Sequence, residues 1–415
     1  MREKIEKYIQ LCKKSDKTPV VIFGSSVNGL SYVRSLGRKK VPVLCLDNTS
    51  GPAAKSRFGI FILLEILKKE PVRGETVADT VLNILNQEKI KPVVLGSADE
   101  WQVYIAKRSE SNRPSFISFA PAYKTMETII DKQAQYELAS GLGISVPAFA
   151  NAGAVLEGKV SWNRFPSIIK PRWAHIGRGA IGGKALLVNS AEALQAKLNS
   201  MQLTAEVTDY IVQQVIEGTD NCLYSYLGLF EPAGYEFVGM IKRKLRQYPP
   251  FLGDGSFDVT CTDTQLTEAA KKLLSAIDYQ GLVGVEFKRN SDSDGFGLIE
   301  INPRTVSTNQ LAIRAGVDFP WLAYQIAVNR EYPELMPRPH ITEGYKVDYH
   351  HVNEERDFKS FLIRKRNKEI GFFEWLKSVL SAKSYALWDK GDPRPFFNMV
   401  LSKSVSGIRK IASKK

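Results

Sequence analysis

The chain has 415 residues, of which 44% are hydrophobic and 24% charged, with 30 glycines and 20 prolines. This composition is typical of a folded globular protein and excludes disordered, collagen-like and coiled-coil chains, while the length predicts two or three domains. No apolar run reaches the roughly 18 residues that a membrane-spanning helix needs. The four cysteines are scattered without a CxxC pair, and the MREKIEKYIQ start lacks the apolar segment of a secretory signal, so we expect a cytoplasmic protein.

The positive charge is concentrated at the C-terminal end of the chain. The formal net charge is +13, and residues 359–415 hold 14 lysines and arginines against four acids, which leaves only +3 for the rest. A surface that coats nucleic acid would spread its basic residues more widely. We therefore expect no nucleic-acid partner, and a local anionic partner for the basic tail.

Residues 1–122 alternate between strand and helix patterns. PVVIFG at 19–24, VPVLCL at 41–46 and PVVL at 92–95 are typical of buried strands, and the segments between them have helical apolar spacing. Such alternation predicts a parallel sheet with crossover helices. We therefore predict an α/β, doubly wound, Rossmann-like domain over residues 1–122.

The pattern changes after residue 122. A helix is predicted over residues 128–142, and strand pairs with glycine-rich turns follow it. These features define a second predicted domain, 123–335, with a glycine-rich subdomain at about 145–212. Residues 336–415 are predicted to form a basic, helical C-terminal extension.

Two neighbouring strands of the second domain carry acidic side chains, in the segments VGVEFKRN and GLIEINPR. Alternation places Glu286 on the polar face of the first strand, and Glu300 with Asn302 on one face of the second. If the two strands pair as a hairpin, all three side chains can come together across the ladder. Three oxygen ligands on rigid strands suit Mg²⁺, whose remaining sites take phosphate oxygens and water. Arg304 would lie beside that metal as a fixed cation. On spacing alone, a solvent-facing hairpin with ordinary surface carboxylates fits equally well.

A lysine and a glycine-rich loop upstream have the character of a phosphate site. Lys170 ends an apolar strand, and the backbone N–H groups of the loop can close over phosphate oxygens. This is not a Walker A loop, because Arg178 and Ala185 stand where glycine and Ser or Thr are required. A glycine-rich hairpin without a ligand is the alternative. The loop glycines are Gly177, Gly179, Gly182 and Gly183.

Taken in order, these elements resemble the ATP-grasp superfamily of carboxylate–amine ligases over about residues 19–329, with the GVEF…IEINPR hairpin as the strongest motif. The resemblance implies that Lys132 and Lys170 contact the phosphates of ATP. It also implies that IVQQVIEGTD forms the hinge where adenine lies. The implied hinge residues are Gln213, in place of the commoner glutamate, Val215 and Ile216, whose backbone binds the purine, and Asp220, which holds the ribose.

The same resemblance implies a metal and two catalytic residues. Glu286, Glu300 and Asn302 fall on the ligand positions for Mg²⁺, or for Mn²⁺ in its place, and Arg304 falls on the arginine that stabilises the transition state. The segment MIKRKLRQYPPFLGDGS is similar to the branch that includes D-aspartate ligase. Lys242 and its basic neighbours Arg243, Lys244 and Arg246 could hold the γ-phosphate or an anionic substrate, although a solvated basic strand explains the pattern equally.

The implied activity is that of an ATP-dependent enzyme that joins a carboxylate to an amine, the latter an amino acid. The reaction would pass through an acyl phosphate and release ADP and phosphate, in cell-envelope biosynthesis. Two other functions fit the same residues. One is a carboxylase or carbamoyl phosphate-forming relative that uses bicarbonate, and the other is a non-catalytic nucleotide-binding protein. A homodimer is the common state of such ligases.

The basic tail contains two amphipathic patterns, at residues 370–385 and 395–411. Apolar and aromatic residues on one face, with lysine and arginine on the other, fit helices that lie in an anionic membrane interface. Peripheral contact through residues 370–415 would bring the enzyme to the inner face of the membrane, near a lipid-linked or other cell-envelope precursor. The alternative is that both helices pack on the body of the protein.

Overall fold

The computed structural model describes residues 1–64, 73–111, 114–173, 181–203, 206–290, 295–340 and 344–402, and for residues 73–76 it describes the backbone only. The chain divides into two units. The first comprises residues 1–122, 304–354 and 382–415, and the second comprises residues 123–303 and 355–381.

The first unit is built on a five-stranded parallel sheet, as the alternating pattern predicted. Its strands, in chain order, lie in the spatial order third, second, first, fourth, fifth, which is the arrangement of a doubly wound domain. The strands are Val20–Phe23, Val43–Asp47, Ile60–Leu63, Val93–Gly96 and Ile117–Ser118. The helices are Arg2–Lys13, Val27–Arg38, Arg73–Gln87, Asp99–Ser109, Asn309–Ala315, Phe319–Glu331 and a helical segment at 394–402.

The second unit contains two antiparallel sheets. The smaller has four strands, Phe149–Asn151, Ser167–Pro171, Leu186–Val188 and Tyr210–Gln214. The larger includes Leu223–Glu231, Tyr235–Tyr248, Asp254–Cys261, Gly281–Arg289 and Phe296–Asn302. The helices are Tyr123–Ile130, Lys132–Gly141, Ala152–Leu156, Ala191–Gln202, Thr264–Ser275, Glu354–Arg366 and Phe372–Ser381.

The helix predicted over residues 128–142 is interrupted at Asp131. The carboxylate of Asp131 accepts a hydrogen bond from the backbone N–H of Gln133 at 3.0 Å, and it forms a two-bond ion pair with Arg172, at 2.8 and 2.6 Å. Asp131 therefore acts as an N-cap that starts a new helix at Lys132.

The C-terminal segment is distributed over both units. The predicted helix at 370–385 ends at Ser381, and Ser384–Tyr385 instead forms a strand parallel to His350–Val352 within the first unit. The predicted helix at 395–411 is present over 394–402, and its remainder lies outside the described residues. Among the residues that the structure describes, no helix is long and apolar enough to span a bilayer.

A buried ion pair fixes the loop after residue 385 to the first unit. Arg34 and Asp392 are 1% and 0% exposed, with Arg34 Nε 3.0 Å from the carboxylate. The same arginine donates to the backbone carbonyl of Leu387, and the hydroxyl of Ser56 donates to the carboxylate. Asp392 is therefore a structural residue.

We expect Asp392→Ala to lower the free energy of unfolding by about 3–5 kcal/mol, because it leaves the guanidinium of Arg34 buried without its counter-charge. Glu88→Ala removes the exposed ion pair with Lys13 in the same unit and should cost at most ~1 kcal/mol. Urea unfolding followed by circular dichroism measures both. Equal losses in the two variants would contradict a stabilising role for the buried pair.

Candidate functional site

The two acidic strands pair as predicted. Gly281–Arg289 and Phe296–Asn302 are antiparallel neighbours, and Glu286 lies directly opposite Glu300. Asn302 is 9% exposed, and its Nδ2 donates to Glu300 Oε1 at 3.1 Å. The three polar side chains are therefore held together by the ladder, and the interpretation as a solvent-facing hairpin does not hold.

A cavity of about 160 Å³ lies in the second unit against these carboxylates. Its walls come from both sheets and from the start of the helix that follows Asp131. Seven of the residues predicted from the sequence line it: Lys132, Lys170, Gln213, Val215, Ile216, Glu286 and Glu300.

Lys170 is buried in the cavity wall beside a tyrosine hydroxyl. Its Nζ donates to Tyr136 Oη at 2.8 Å, and that hydroxyl lies 2.8 Å from both Gln213 Oε1 and the carbonyl oxygen of Ile299. The single hydroxyl hydrogen can serve only one of those two acceptors at a time. Burial, and then the nearby charge of Lys132, lower the pKa of Lys170 to about 7.

The cavity is lined by five lysines and three carboxylates. Two of the lysines, Lys184 and Lys288, belonged to no predicted site. An excess of cations around a small buried space favours an anionic ligand with several charges, such as a polyphosphate.

Glu300 is held in its ionised form by this environment. Burial opposes ionisation, but Lys132, Lys184 and the amide of Asn302 outweigh it and lower the pKa of Glu300 to about 2. Lys244 is likewise buried, yet its ion pair with Glu286, at 2.8 Å, raises the pKa of the lysine. Both acids are therefore charge-compensated before any ligand enters.

Three of the four basic residues of the Tyr235–Tyr248 strand are buried, so this basic run is not a solvated one. Lys242, Lys244 and Arg246 are all buried, in accordance with the two-residue period of a strand. Only Lys244 of these three lines the cavity, whereas Lys242 donates to Asp258 at 2.7 Å. The catalytic role of Lys242 stays a prediction, and Lys244 is the lysine of this strand that the cavity includes.

Asp220 lies behind the cavity wall. It is 8% exposed, accepts hydrogen bonds from the backbone N–H and the side chain of Gln247, and forms an ion pair with Arg364. Gln247 itself lines the cavity, as do Asp254 and Lys184, which pair with each other. No motif or spacing identifies Gln247, because its hydrogen-bond partners Asp220 and Ser360 come from distant parts of the chain.

The remaining predicted residues have different positions. Gly177 and Gly179 lie outside the described residues. Gly182 has a φ of +68°, and together with Gly183 it precedes the cavity residues Lys184 and Ala185. Arg304 belongs to the first unit, where its guanidinium pairs with Asp99, Nε to Oδ1 at 2.7 Å.

The start of the adjacent helix differs from its sequence pattern, because the hydroxyl of Ser97 donates to the carbonyl oxygen of Gly24 at 3.1 Å and does not cap the helix. The SADE segment at 97–100 has the pattern of a capping box, but the helix begins at Asp99 with Ala98 as its N-cap and no side-chain cap.

Glu286, Glu300 and Asn302 fit a hard cation such as Mg²⁺ chemically. Two carboxylates and an amide oxygen are suitable ligands, and Mg²⁺ in nucleotide sites is held by one or two carboxylates together with phosphate oxygens. Within the described ranges there is no group of three or more His, Cys, Asp or Glu side chains that could hold a metal without such a ligand. The donor set therefore suits a metal that enters with a phosphate.

A second, larger cavity of about 620 Å³ shares Val215 and Ile216 with the first. Among the described residues that line it, Glu217 is the one carboxylate, and none is a lysine or an arginine. A polyphosphate would therefore find no counter-charge there, and the smaller cavity is the better phosphate site.

Comparisons with known proteins agree with this architecture. The model of a family described as "ATP-grasp in the biosynthetic pathway with Ter operon" matches residues 237–352, which include the basic strand and the acidic hairpin. Three solved structures illustrate the fold.

The biotin carboxylase domain of 2-oxoglutarate carboxylase from Hydrogenobacter thermophilus is 13% identical, with a TM-score of 0.59 over 80% of this chain and 73% of that one. L-amino acid ligase from Bacillus licheniformis is 18% identical, with a TM-score of 0.56 over 77% and 78%. N5-carboxyaminoimidazole synthetase from Staphylococcus aureus is 14% identical, with a TM-score of 0.59 over 80% of each chain. The chain therefore has the ATP-grasp fold.

The lowered pKa of Lys170 has a measurable consequence without any ligand. Between about pH 7 and pH 10 the unfolded chain keeps the lysine protonated while the folded protein does not, so the unfolded state binds more protons and stability rises with pH. We expect the stability of the wild type relative to Lys170→Met to increase over this range in urea unfolding. Lys159→Met, at an exposed lysine, should follow the wild-type pH profile. A constant difference between wild type and Lys170→Met would show that the amine stays protonated in the folded protein.

Proposed function

We propose that this protein is an ATP-dependent ligase that joins a carboxylate to an amine. The observation that carries the proposal is the cavity in which five lysines surround the paired carboxylates Glu286 and Glu300. The ATP-grasp fold and the family match to residues 237–352 are consistent with it.

The phosphates of the nucleotide would lie in the 160 Å³ cavity. Lys132, Lys170 and Lys184 would neutralise the phosphates, and the hinge backbone at Val215 and Ile216 would bind the purine. Lys288 donates to the carbonyl oxygen of Ile216 at 2.7 Å, which fixes that part of the hinge.

Glu286, Glu300 and Asn302 would hold Mg²⁺ together with phosphate oxygens. When bound, the metal supplies charge neutralisation at the β- and γ-phosphates. The low pKa of Glu300 means that this carboxylate needs no deprotonation to bind a cation at neutral pH. Mn²⁺ would suit the same oxygen ligands.

The proposed chemistry has two steps. The carboxylate of one substrate attacks the γ-phosphorus, which forms an acyl phosphate and releases ADP. The amine then attacks the activated carbonyl carbon, and phosphate leaves as the amide bond forms. In the first step the protein mainly positions groups and neutralises charge, which suits a lysine-rich site. Arg304 stays a proposed catalytic residue on the resemblance alone, and a ligand would have to compete with Asp99 for its guanidinium.

For the substrates, we propose an amino acid as the amine and a cell-envelope precursor as the carboxylate, by analogy with the D-aspartate ligase branch. Two alternatives remain within the fold. A carboxylase would use bicarbonate, and a non-catalytic protein would bind nucleotide without turnover. Charge-compensated carboxylates and a lysine with a pKa near neutrality favour an active site over a vestigial one. A homodimer is proposed on the same analogy.

Glu300→Gln tests the reaction and the metal site together. The substitution keeps the size and hydrogen-bonding capacity of the side chain but removes a charge from the proposed ligand set. We expect amino acid-dependent release of phosphate from Mg-ATP to fall by roughly 100-fold or more. A panel of amino acids, with and without bicarbonate, followed by mass spectrometry of the product, measures the reaction.

The matched control is Glu268→Gln, on the exposed face of the Thr264–Ser275 helix, which should keep full activity. Unchanged release in Glu300→Gln would remove the metal assignment. Release that depends on bicarbonate instead of an amino acid would favour the carboxylase. Binding of Mg-ATP without release under any of these conditions would favour the non-catalytic protein.

We also propose peripheral contact with an anionic membrane through the C-terminal segment. Phe397 and Leu401 in the helical segment at 394–402 are 52% and 63% exposed, and the chain beyond is rich in lysine. Exposed apolar residues beside basic ones fit an interfacial helix.

Vesicle flotation tests this contact. The full-length chain should float with vesicles that contain phosphatidylserine, whereas a chain that ends at Pro393 should not. Truncation at Pro393 keeps Asp389 and Asp392, which pair with Arg38 and Arg34, so the first unit is expected to fold. Equal flotation of both chains, or none with either, would contradict membrane contact through this segment.

A further inference from the structure

Gln247, near the end of the Tyr235–Tyr248 strand, is a cavity residue that neither motif nor spacing identified. It lines the 160 Å³ cavity together with Lys170 and Glu300, and it is only 1% exposed. A buried polar side chain at the wall of a binding cavity requires hydrogen-bond partners.

Three of the four polar groups of Gln247 are occupied by the protein. Its backbone N–H donates to Asp220 Oδ2 at 3.1 Å, and its side-chain Nε2 donates to Asp220 Oδ1 at 2.7 Å. Its backbone carbonyl accepts from Ser360 Oγ at 2.9 Å. Because Nε2 is directed to a carboxylate, the orientation of the amide plane is fixed, and no donor from the described residues reaches Oε1.

Asp220 is held in turn by a residue from the C-terminal part of the chain. Arg364 lies on the Glu354–Arg366 helix and forms an ion pair with Asp220 Oδ2, while its Nη1 lies 2.8 Å from Glu369. Ser360 lies one turn earlier on the same helix, so the helix contacts Gln247 directly through Ser360 and indirectly through Arg364 and Asp220.

We propose that Gln247 Oε1 accepts a hydrogen bond from the nucleoside portion of the bound nucleotide, and that Asp220 and Arg364 are positioning residues for it. The inference rests on the proposed function of the cavity. A carbonyl oxygen can only accept, so it cannot bind a phosphate oxygen, whereas the lysines of the same cavity can. The donors on a nucleotide are the two ribose hydroxyls and the 6-amino group of the purine.

This assignment changes the role that the resemblance implies for Asp220. Instead of contacting the ribose itself, the carboxylate directs the amide of Gln247 and leaves the carbonyl oxygen for the ligand. A neutral acceptor behind a polyphosphate site also avoids placing a free carboxylate near the phosphates.

Binding of four nucleotides by isothermal titration calorimetry tests the proposal. The probes are the Mg²⁺ complexes of ATP, 2′-deoxy-ATP, 3′-deoxy-ATP and purine riboside triphosphate, each of which except ATP lacks one donor. We expect Gln247→Met, in the full-length chain, to weaken ATP binding by roughly 3- to 10-fold, the effect of one hydrogen bond. The variant should not weaken the analogue that lacks the matching donor, which identifies the group that Gln247 contacts.

Two further variants and a control separate the contact made by Gln247 from the residues that position it. Gln247→Asn keeps an amide but withdraws the carbonyl oxygen, so it should show the same selective loss. Arg364→Met should do so as well, because Asp220 loses its partner. Glu369→Gln breaks only the exposed ion pair on the same arginine and should bind all four nucleotides as the wild type does.

The outcomes are distinguishable. Unchanged ATP binding in both Gln247 variants, or equal weakening of all four nucleotides, would overturn the proposal, because a structural role would not discriminate among the analogues. A wild-type protein that binds none of the four would instead overturn the proposed function. Wild-type affinity in Arg364→Met with a selective loss in Gln247→Met would remove the positioning role of Arg364 alone.

Discussion

The site depends on the balance between lysines and paired carboxylates in one small cavity. Glu286 and Glu300 lie opposite each other across a strand ladder, a placement that like charges disfavour unless cations lie close by. Lys244 neutralises Glu286, and Lys132 and Lys184 keep Glu300 ionised. Lys170 is the group at which this balance is incomplete, because burial outweighs the nearby acids and lowers its pKa to about 7. A polyphosphate would complete the balance, which is a physical reason for the cavity to bind one.

The C-terminal segment contributes to the stability of both units by the same means. Asp392 neutralises the buried Arg34 in the first unit, while Asp357 pairs with the buried Arg246 in the second, at 2.9 and 2.8 Å. Asp357 also accepts from Ser256 and from the indole of Trp375. Removing one partner of such a pair leaves a buried charge without its counter-charge and strongly lowers the free energy of unfolding. The segments that carry Asp357 and Asp392 are therefore integral to the fold.

Much of the fold and part of the site could be predicted because they depend on local pattern. The two-residue period placed Glu286 and Glu300 on paired strands, and alternating strands and helices predicted the parallel sheet. Asp131 was missed as a helix break because its partner, Arg172, lies 41 residues further along the chain, just after the Ser167–Pro171 strand. Arg364 lies 144 residues from Asp220. Such contacts carry no periodicity, so no single-sequence argument could have linked the C-terminal helix to the cavity.

The basic residues of the Tyr235–Tyr248 strand alternate in one regular pattern but have different structural roles. Lys242, Lys244 and Arg246 look equivalent in sequence, yet their partners are Asp258, Glu286 and Asp357. Lys242 and Arg246 are each satisfied by an acid behind the cavity wall, and only Lys244 is paired with a residue that also faces the cavity. A ligand that draws a cation to Glu286 must therefore displace or share Lys244. If the proposed site binds Mg²⁺ and a polyphosphate, the two binding events would therefore be coupled at the ion pair between Lys244 and Glu286, and not along the basic run as a whole.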